Sequence, residues 1–166
     1  MKIRRISVGF LLNTYWGKIL STFLVSMVPV IELRGAIPFA TAQGLGVRTA
    51  IAASVLGNMV PVPFIIIFIR KIFEWLRTKS EKLDRLVRHF EEKADKHAAT
   101  VNRYRFWGLF VLVAIPLPGT GAWTGALVAA MLDMRLKSAV PSILMGVIAA
   151  AVIVALLSYG AAALIF

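Results

Sequence analysis

The sequence predicts an all-α integral membrane protein. The expected plan is an inverted repeat, each unit a re-entrant helical hairpin plus a full transmembrane helix, joined by a basic amphipathic helix. Three observations lead there. Hydrophobic residues make up 59% of the 166-residue chain, charged residues only 16%, and the mean hydropathy is +0.81; soluble domains hold about 45–50% apolar and about 25% charged residues. Two apolar stretches are broken at their centres by proline and glycine. Two further apolar stretches have twenty residues, enough to cross about 30 Å of hydrocarbon. Residues 1–166 are read as one membrane domain: 1–69 hold the first repeat and an N-terminal helix, 70–105 the basic helix, and 106–166 the second repeat.

The opening Met1-Lys-Ile-Arg-Arg5 resembles the n-region of a signal peptide. Asn13 and Lys18 interrupt the apolar run after it, and no small-x-small cleavage site is evident, so the N-terminus is expected to be retained. Residues 3–17 fit either an interfacial helix anchored by Tyr15 and Trp16, or the start of a single span over 8–31.

The first break reads Met27-Val-Pro29-Val-Ile-Glu32-Leu-Arg34-Gly35-Ala-Ile-Pro38. Its arms, 19–28 and 36–45, have ten residues each and would rise about 15 Å, half the hydrocarbon depth. Residues 50–69 form the first full span. Pro61 and Pro63 are tolerable there as a kink or near the cytoplasmic end.

Residues 70–105 carry eleven of the 19 Lys and Arg, against six acids. Leu76, Leu83, Val87, Phe90, Ala94 and Val101 recur at helical steps, and Glu81/Arg85, Asp84/Arg88 and Glu92/Lys96 are acid-before-base pairs at i,i+4. The segment reads as a cytoplasmic helix lying on anionic headgroups, or as a solvated linker. The clustering of the +11 net charge between apolar blocks argues against a nucleic-acid partner. His89 and His97 lack a carboxylate pattern suited to a metal, and the chain has no cysteine. No cofactor is expected, and no nucleophile triad, P-loop or dinucleotide fingerprint suggests an enzyme.

The second break reads Ala114-Ile-Pro116-Leu-Pro118-Gly119-Thr120-Gly121-Ala-Trp123-Thr124-Gly125, with arms at 106–115 and 121–130. The second span is 138–157, with Pro141 in its first turn, where proline fits. Overlaying the halves places Pro29 on Pro116 and Arg48 on Arg135, 87 residues apart, and Ser54 and Leu56 on Ser142 and Leu144, 88 apart. Gly57 approaches Gly146. A hairpin plus one crossing gives an odd number of passes, so the second unit must be upside down relative to the first.

In hydrocarbon, a broken helix survives only inside protein or beside water, and paired breaks in two halves point to a transport site. Glu32 and Arg34 are the sharpest candidates, since a lone charge at mid-depth costs a few kcal/mol. They pin the turn as an ion pair or serve a cargo. Arg34 favours an anionic group, with Glu32 as proton acceptor or gate. Gly35, Pro38, Pro116, Pro118, Gly119, Thr120, Gly121, Trp123 and Thr124 complete the candidate substrate-binding set. Thr120 is a candidate cap for the second arm. Arg48 and Arg135 are interface residues or guides for an entering headgroup.

The phrases Glu32-Leu-Arg-Gly-Ala-Ile-Pro38, Gly57-Asn58-Met-Val-Pro61-Val-Pro63 and Pro116-Leu-Pro-Gly-Thr-Gly-Ala-Trp-Thr-Gly125 resemble the small multi-drug export protein family of bacteria and archaea, which is similar to the DedA/VTT membrane protein superfamily. That resemblance implies two re-entrant hairpins meeting in the membrane, and lipid or polyprenyl-phosphate transport. Glu32 matches the acidic residue of the first DedA hairpin. The DedA arginine after Pro-Gly is missing, because Thr120 and Gly121 come directly after Pro118-Gly119; Arg34 stands as its substitute.

The expected protein is therefore a multi-pass transporter in the cell membrane, homodimeric, moving an anionic lipid headgroup through a cleft between the hairpins with protons as a coupling ion. A proton-coupled exporter of hydrophobic cations, with plain spans over 8–31 and 106–132 and four transmembrane helices in all, is the rival. A membrane scaffold recruiting a partner through the basic helix is a third reading.

Overall fold

The computed structural model describes residues 14–89, 91–92, 105–117 and 119–160. Among these the chain is all-helical, with no strand. Its helices are α1 (Tyr15–Met27), α2 (Glu32–Ala42), α3 (Val47–Met59), α4 (Pro61–Arg77), α5 (81–92, residue 90 not described), α6 (Phe106–Ala114), α7 (Ala122–Met131) and α8 (Leu136–Tyr159). Two stretches are long and apolar enough to cross a bilayer, Val47–Ile69 and Leu136–Tyr159. At 23 and 24 residues they rise about 35 Å.

The chain forms two compact units: Met1–Val60 with Val147–Phe166, and Pro61–Gly146. In the first, α1 and α2 fold back on each other. Lys18, in the first turn of α1, gives its Nζ proton to the carbonyl of Gln43, just past the end of α2, at 2.6 Å, so the two helices run antiparallel. Helix α3 packs on both. Small residues make this possible: Ala40, Leu45 and Ala50 form a buried cluster, flanked by Ile19 and Tyr159. The Tyr159 hydroxyl donates to the Leu45 carbonyl at 2.9 Å and ties the end of α8 to the α2–α3 corner.

In the second unit α7 packs against α6 and α4. All its residues but Trp123 and Met131 are buried, as an apolar helix with no polar face requires. The Ser142 hydroxyl donates to the Phe106 carbonyl at 2.6 Å, joining α8 to the start of α6.

The two units repeat one contact. A Cβ on Gly57 of α3 would strike Ser26 Oγ and the Phe23 carbonyl of α1. A Cβ on Gly146 of α8 would meet Val113 Cβ at 2.7 Å and the Phe110 carbonyl at 2.9 Å, both on α6. Ser26 and Val113, like Phe23 and Phe110, are 87 residues apart, the offset of Pro29 and Pro116. In both units, then, the first arm lies backbone-to-backbone on the helix that comes after the second arm.

Several boundaries differ from expectation. Helix α1 starts at Tyr15 after an extended Thr14, and residues 3–13 of the expected N-terminal helix lie outside the described residues. The four-plain-helix reading needs unbroken helices over 8–31 and 106–132, but the chain is out of helix at 28–31, 115–117 and 119–121. Residues 70–105 are not one helix. Helix α4 carries on from the span to Arg77, and a new helix begins after Ser80, whose hydroxyl accepts from Lys82 N at 3.2 Å. The bend is held by charge: Arg77 pairs with Asp84 and Glu91 of α5, and Arg88 with Asp84 at 2.9 Å. Arg85 instead reaches the Glu81 carbonyl. Residues 93–104, with Lys96 and His97, are outside the described residues. Because α8 begins at Leu136, Pro141 falls in its second turn, where the Lys137 carbonyl loses its helical donor.

Gly57→Ala and Gly146→Ala should each destabilise the protein by about 1–3 kcal/mol, since backbone atoms must yield to the added methyl. A thermal unfolding scan in detergent should show lower midpoints for both. An unchanged midpoint would mean the arm and span are not in close contact.

Candidate functional site

The first break begins where α1 ends at Val28, whose backbone is extended and whose N–H donates to the Val25 carbonyl at 3.2 Å. Pro29 comes next. Val30 then takes φ 77°, a conformation that β-branched residues almost never adopt, and stands 96% exposed. Glu32 also has positive φ, 48°. Its N–H returns to the Val28 carbonyl at 3.0 Å, and the Gly35 N–H goes to the Ile31 carbonyl at 2.9 Å. The chain thus reverses within four residues.

Helix α2 starts four residues before the expected arm. Glu32 and Arg34 consequently sit in its first turn rather than in the loop. The acid is well placed there, because a helix N-terminus carries partial positive charge. Glu32 is only 5% exposed, and Arg34 is half-buried and within the field of the Glu32 carboxylate. At Gly35 an added Cβ would meet Ile31 Cγ2, a side-chain methyl that would have to shift. Pro38 is exposed and lies inside α2, where it cannot supply an N–H to the carbonyl one turn earlier. One turn of chain therefore brings Glu32, Arg34 and Gly35 together.

The second break is built from glycine and threonine. Gly119 (φ 86°) and Gly121 (φ 134°) take backbone angles that side chains resist. Pro116 is half-buried, and Pro118 is outside the described residues. Thr120 does not cap α7, whose N-cap is Gly121 with no side-chain bond. Its hydroxyl turns back toward the Ile115 carbonyl at 2.7 Å and the Leu117 carbonyl at 3.0 Å. The Thr124 hydroxyl donates to the Gly119 carbonyl at 2.9 Å. Both threonines thus partner carbonyls that the break removes from a helix. Trp123 is half-buried on α7.

Arg48 and Arg135 are exposed and keep equivalent places: Arg48 is the second residue of α3, and Arg135 directly precedes α8. Sequence reasoning passed over two side chains as site candidates. Ser54 and Asn58 are fully buried one turn apart on α3. The signal was present, because an amide amid apolar residues, next to Gly57 and just before Pro61, is uncommon in a span.

The family model described as "Putative small multi-drug export protein" matches residues 32–153. The chain belongs to that family. The match begins at Glu32, the first residue of α2, and takes in both breaks' second arms and most of α8. Family membership and the two helices of spanning length make this a membrane protein, and the family's description is that of an exporter. Neither the curated proteins nor the solved structures contain a match.

Thr120→Val should cost about 0.5–1.5 kcal/mol by removing the hydroxyl's bonds to the Ile115 and Leu117 carbonyls, whereas Thr120→Ser should be nearly neutral. Val30→Gly should gain about 1 kcal/mol, as relief of strain exceeds glycine's entropic penalty. Thermal midpoints of the three variants in detergent check both statements.

Proposed function

We propose that this family member is a membrane transporter that moves an anionic lipid or polyprenyl-phosphate headgroup across the bilayer, as the DedA-like reading expects. One observation carries the proposal. A carboxylate and a guanidinium, Glu32 and Arg34, lie buried and half-buried in the first turn after a helix break in an apolar segment. Burying either charge is costly unless it is partnered or used. Arg34 would hold a phosphate oxygen through charge-assisted bonds. Glu32 would be protonated while the phosphate is held, and loss of that proton would restore a carboxylate that repels the headgroup and competes for Arg34, which couples movement to protons. The prenyl or acyl tails would remain in lipid.

The reading extends to a plan of two inverted units, each with a re-entrant hairpin and one crossing. It is supported by the 87-residue offset shared by the breaks and by the glycine contacts. Arg48 and Arg135 would meet a headgroup entering each hairpin, and a homodimer would enclose the path. The basic stretch 70–105 would face the cytoplasm of a cell-membrane protein. The family's description favours a second reading, export of hydrophobic cations with Glu32 exchanging protons for drug. A cation site two residues from Arg34 is electrostatically awkward, so the anionic cargo is preferred.

Glu32→Gln and Arg34→Ala should each abolish transfer of a fluorescent anionic phospholipid in proteoliposomes, with helix content and thermal midpoint retained. Wild-type transfer in both variants would discard this site. Resistance of expressing cells to cationic dyes, lost in Glu32→Gln, would favour the second reading.

A further inference from the structure

Buried hydroxyls in this protein have partners, with one exception among the described residues. Thr22 donates to the Lys18 carbonyl at 2.8 Å, Ser26 to the Phe23 carbonyl at 2.7 Å, and Ser142 to the Phe106 carbonyl at 2.6 Å. Ser54, the counterpart of Ser142 in the first unit, has none. One turn on, Asn58 is equally buried, and neither its Nδ2 nor its Oδ1 has a partner. Three buried polar atoms on one face of an apolar helix thus have no protein partner. Each unpartnered buried group costs about 1–3 kcal/mol. Ser54 could bond back to its own helix as Thr22 does, yet it does not.

The backbone beside them is also weakened. Pro61 cannot donate to the Gly57 carbonyl, which receives only the Val60 N–H at 3.3 Å. Pro63 likewise has no N–H for the Met59 carbonyl. An amide, a hydroxyl and carbonyls released by proline at one level of a membrane helix form the kind of interrupted helix that lines a polar path.

We propose that Ser54 and Asn58 form a neutral hydrogen-bonding subsite, wetted when the transporter opens. Its ligand must accept from Asn58 Nδ2 and donate to Oδ1. A bare cation cannot accept, and a fully ionised phosphate cannot donate. The matching chemistry is an O–H oxygen, from water or from the hydroxyl or protonated phosphate of a headgroup. The subsite deepens the transporter reading and relies on it only for the identity of the cargo.

The chain has no cysteine, which permits a direct test. Ser54→Cys and Asn58→Cys, made singly and reconstituted, are exposed to a membrane-impermeant thiol reagent. Thr22→Cys and Ser142→Cys are the controls, equally buried in this structure. Both test positions should react about tenfold faster than the controls, through opening of the path. Protection by phosphatidylglycerol but not phosphatidylcholine vesicles assigns a headgroup as the O–H source; labelling without protection assigns water. Labelling no faster than the controls overturns the subsite. Asn58→Leu should keep or raise the thermal midpoint while slowing anionic-lipid transfer about tenfold. A stabilised Asn58→Leu that transfers lipid at the wild-type rate also overturns it. Because labelling does not depend on cargo, fast labelling with normal transfer in Glu32→Gln and Arg34→Ala removes the hairpin site and leaves the subsite standing.

Discussion

A peptide group released from a helix must find another partner, and that constraint shapes this chain wherever a helix stops. Each interruption is closed by a different local means. At 28–31 the Val28 carbonyl accepts Glu32 N–H and the Ile31 carbonyl accepts Gly35 N–H, at the expense of positive φ at Val30 and Glu32. At the second break two threonine hydroxyls join the Leu117 and Thr120 amides in satisfying the released carbonyls. At Val60 the backbone N–H turns to the Gly57 carbonyl at 3.3 Å, since Pro61 has no N–H to give it. These three solutions differ in what they leave over. The second break uses its hydroxyls internally. The first places charge at its exit, and the third leaves a buried amide beside it.

Packing obeys the same economy of polar groups. With few charges to orient helices, close approach relies on residues lacking bulk. Gly57 and Gly146 let a span touch the backbone of an arm, and Ala40 and Ala50 do so around Leu45. Ion pairs, by contrast, cluster in the α4–α5 bend, where Arg77, Asp84, Arg88 and Glu91 meet and remain partly exposed. Such pairs contribute little individually, but as a group they set the angle at which the basic segment leaves the span.

Much of the helical plan was legible because proline and glycine punctuate so strongly. The arm expected at 106–115 is found at Phe106–Ala114, and the span expected at 138–157 at Leu136–Tyr159. The start of α2 was misjudged because Glu32 and Arg34 look like loop residues, although an acid at a helix N-terminus is favourable. The bend after Arg77 was hidden by a periodicity that runs through it: Leu76, Leu83 and Val87 keep helical spacing across the turn. Glu32 and Arg34 were readable as charges out of place. The roles of Thr120 and Thr124 were not, because hydroxyls can cap forward or bond backward, and only the path of the chain decides. That Ser54 and Asn58 lack a protein partner is likewise invisible in sequence, since it depends on what surrounds α3.

The first compact unit is discontinuous, needing residues from 147 onward as well as those before 61. Its corner at Leu45 is secured by Tyr159, 114 positions later. During synthesis the segment 61–146 is fully available to close before the earlier portion can be completed. The Tyr159–Leu45 bond can therefore form only once the end of α8 has been made, after every other part of the first unit that it braces.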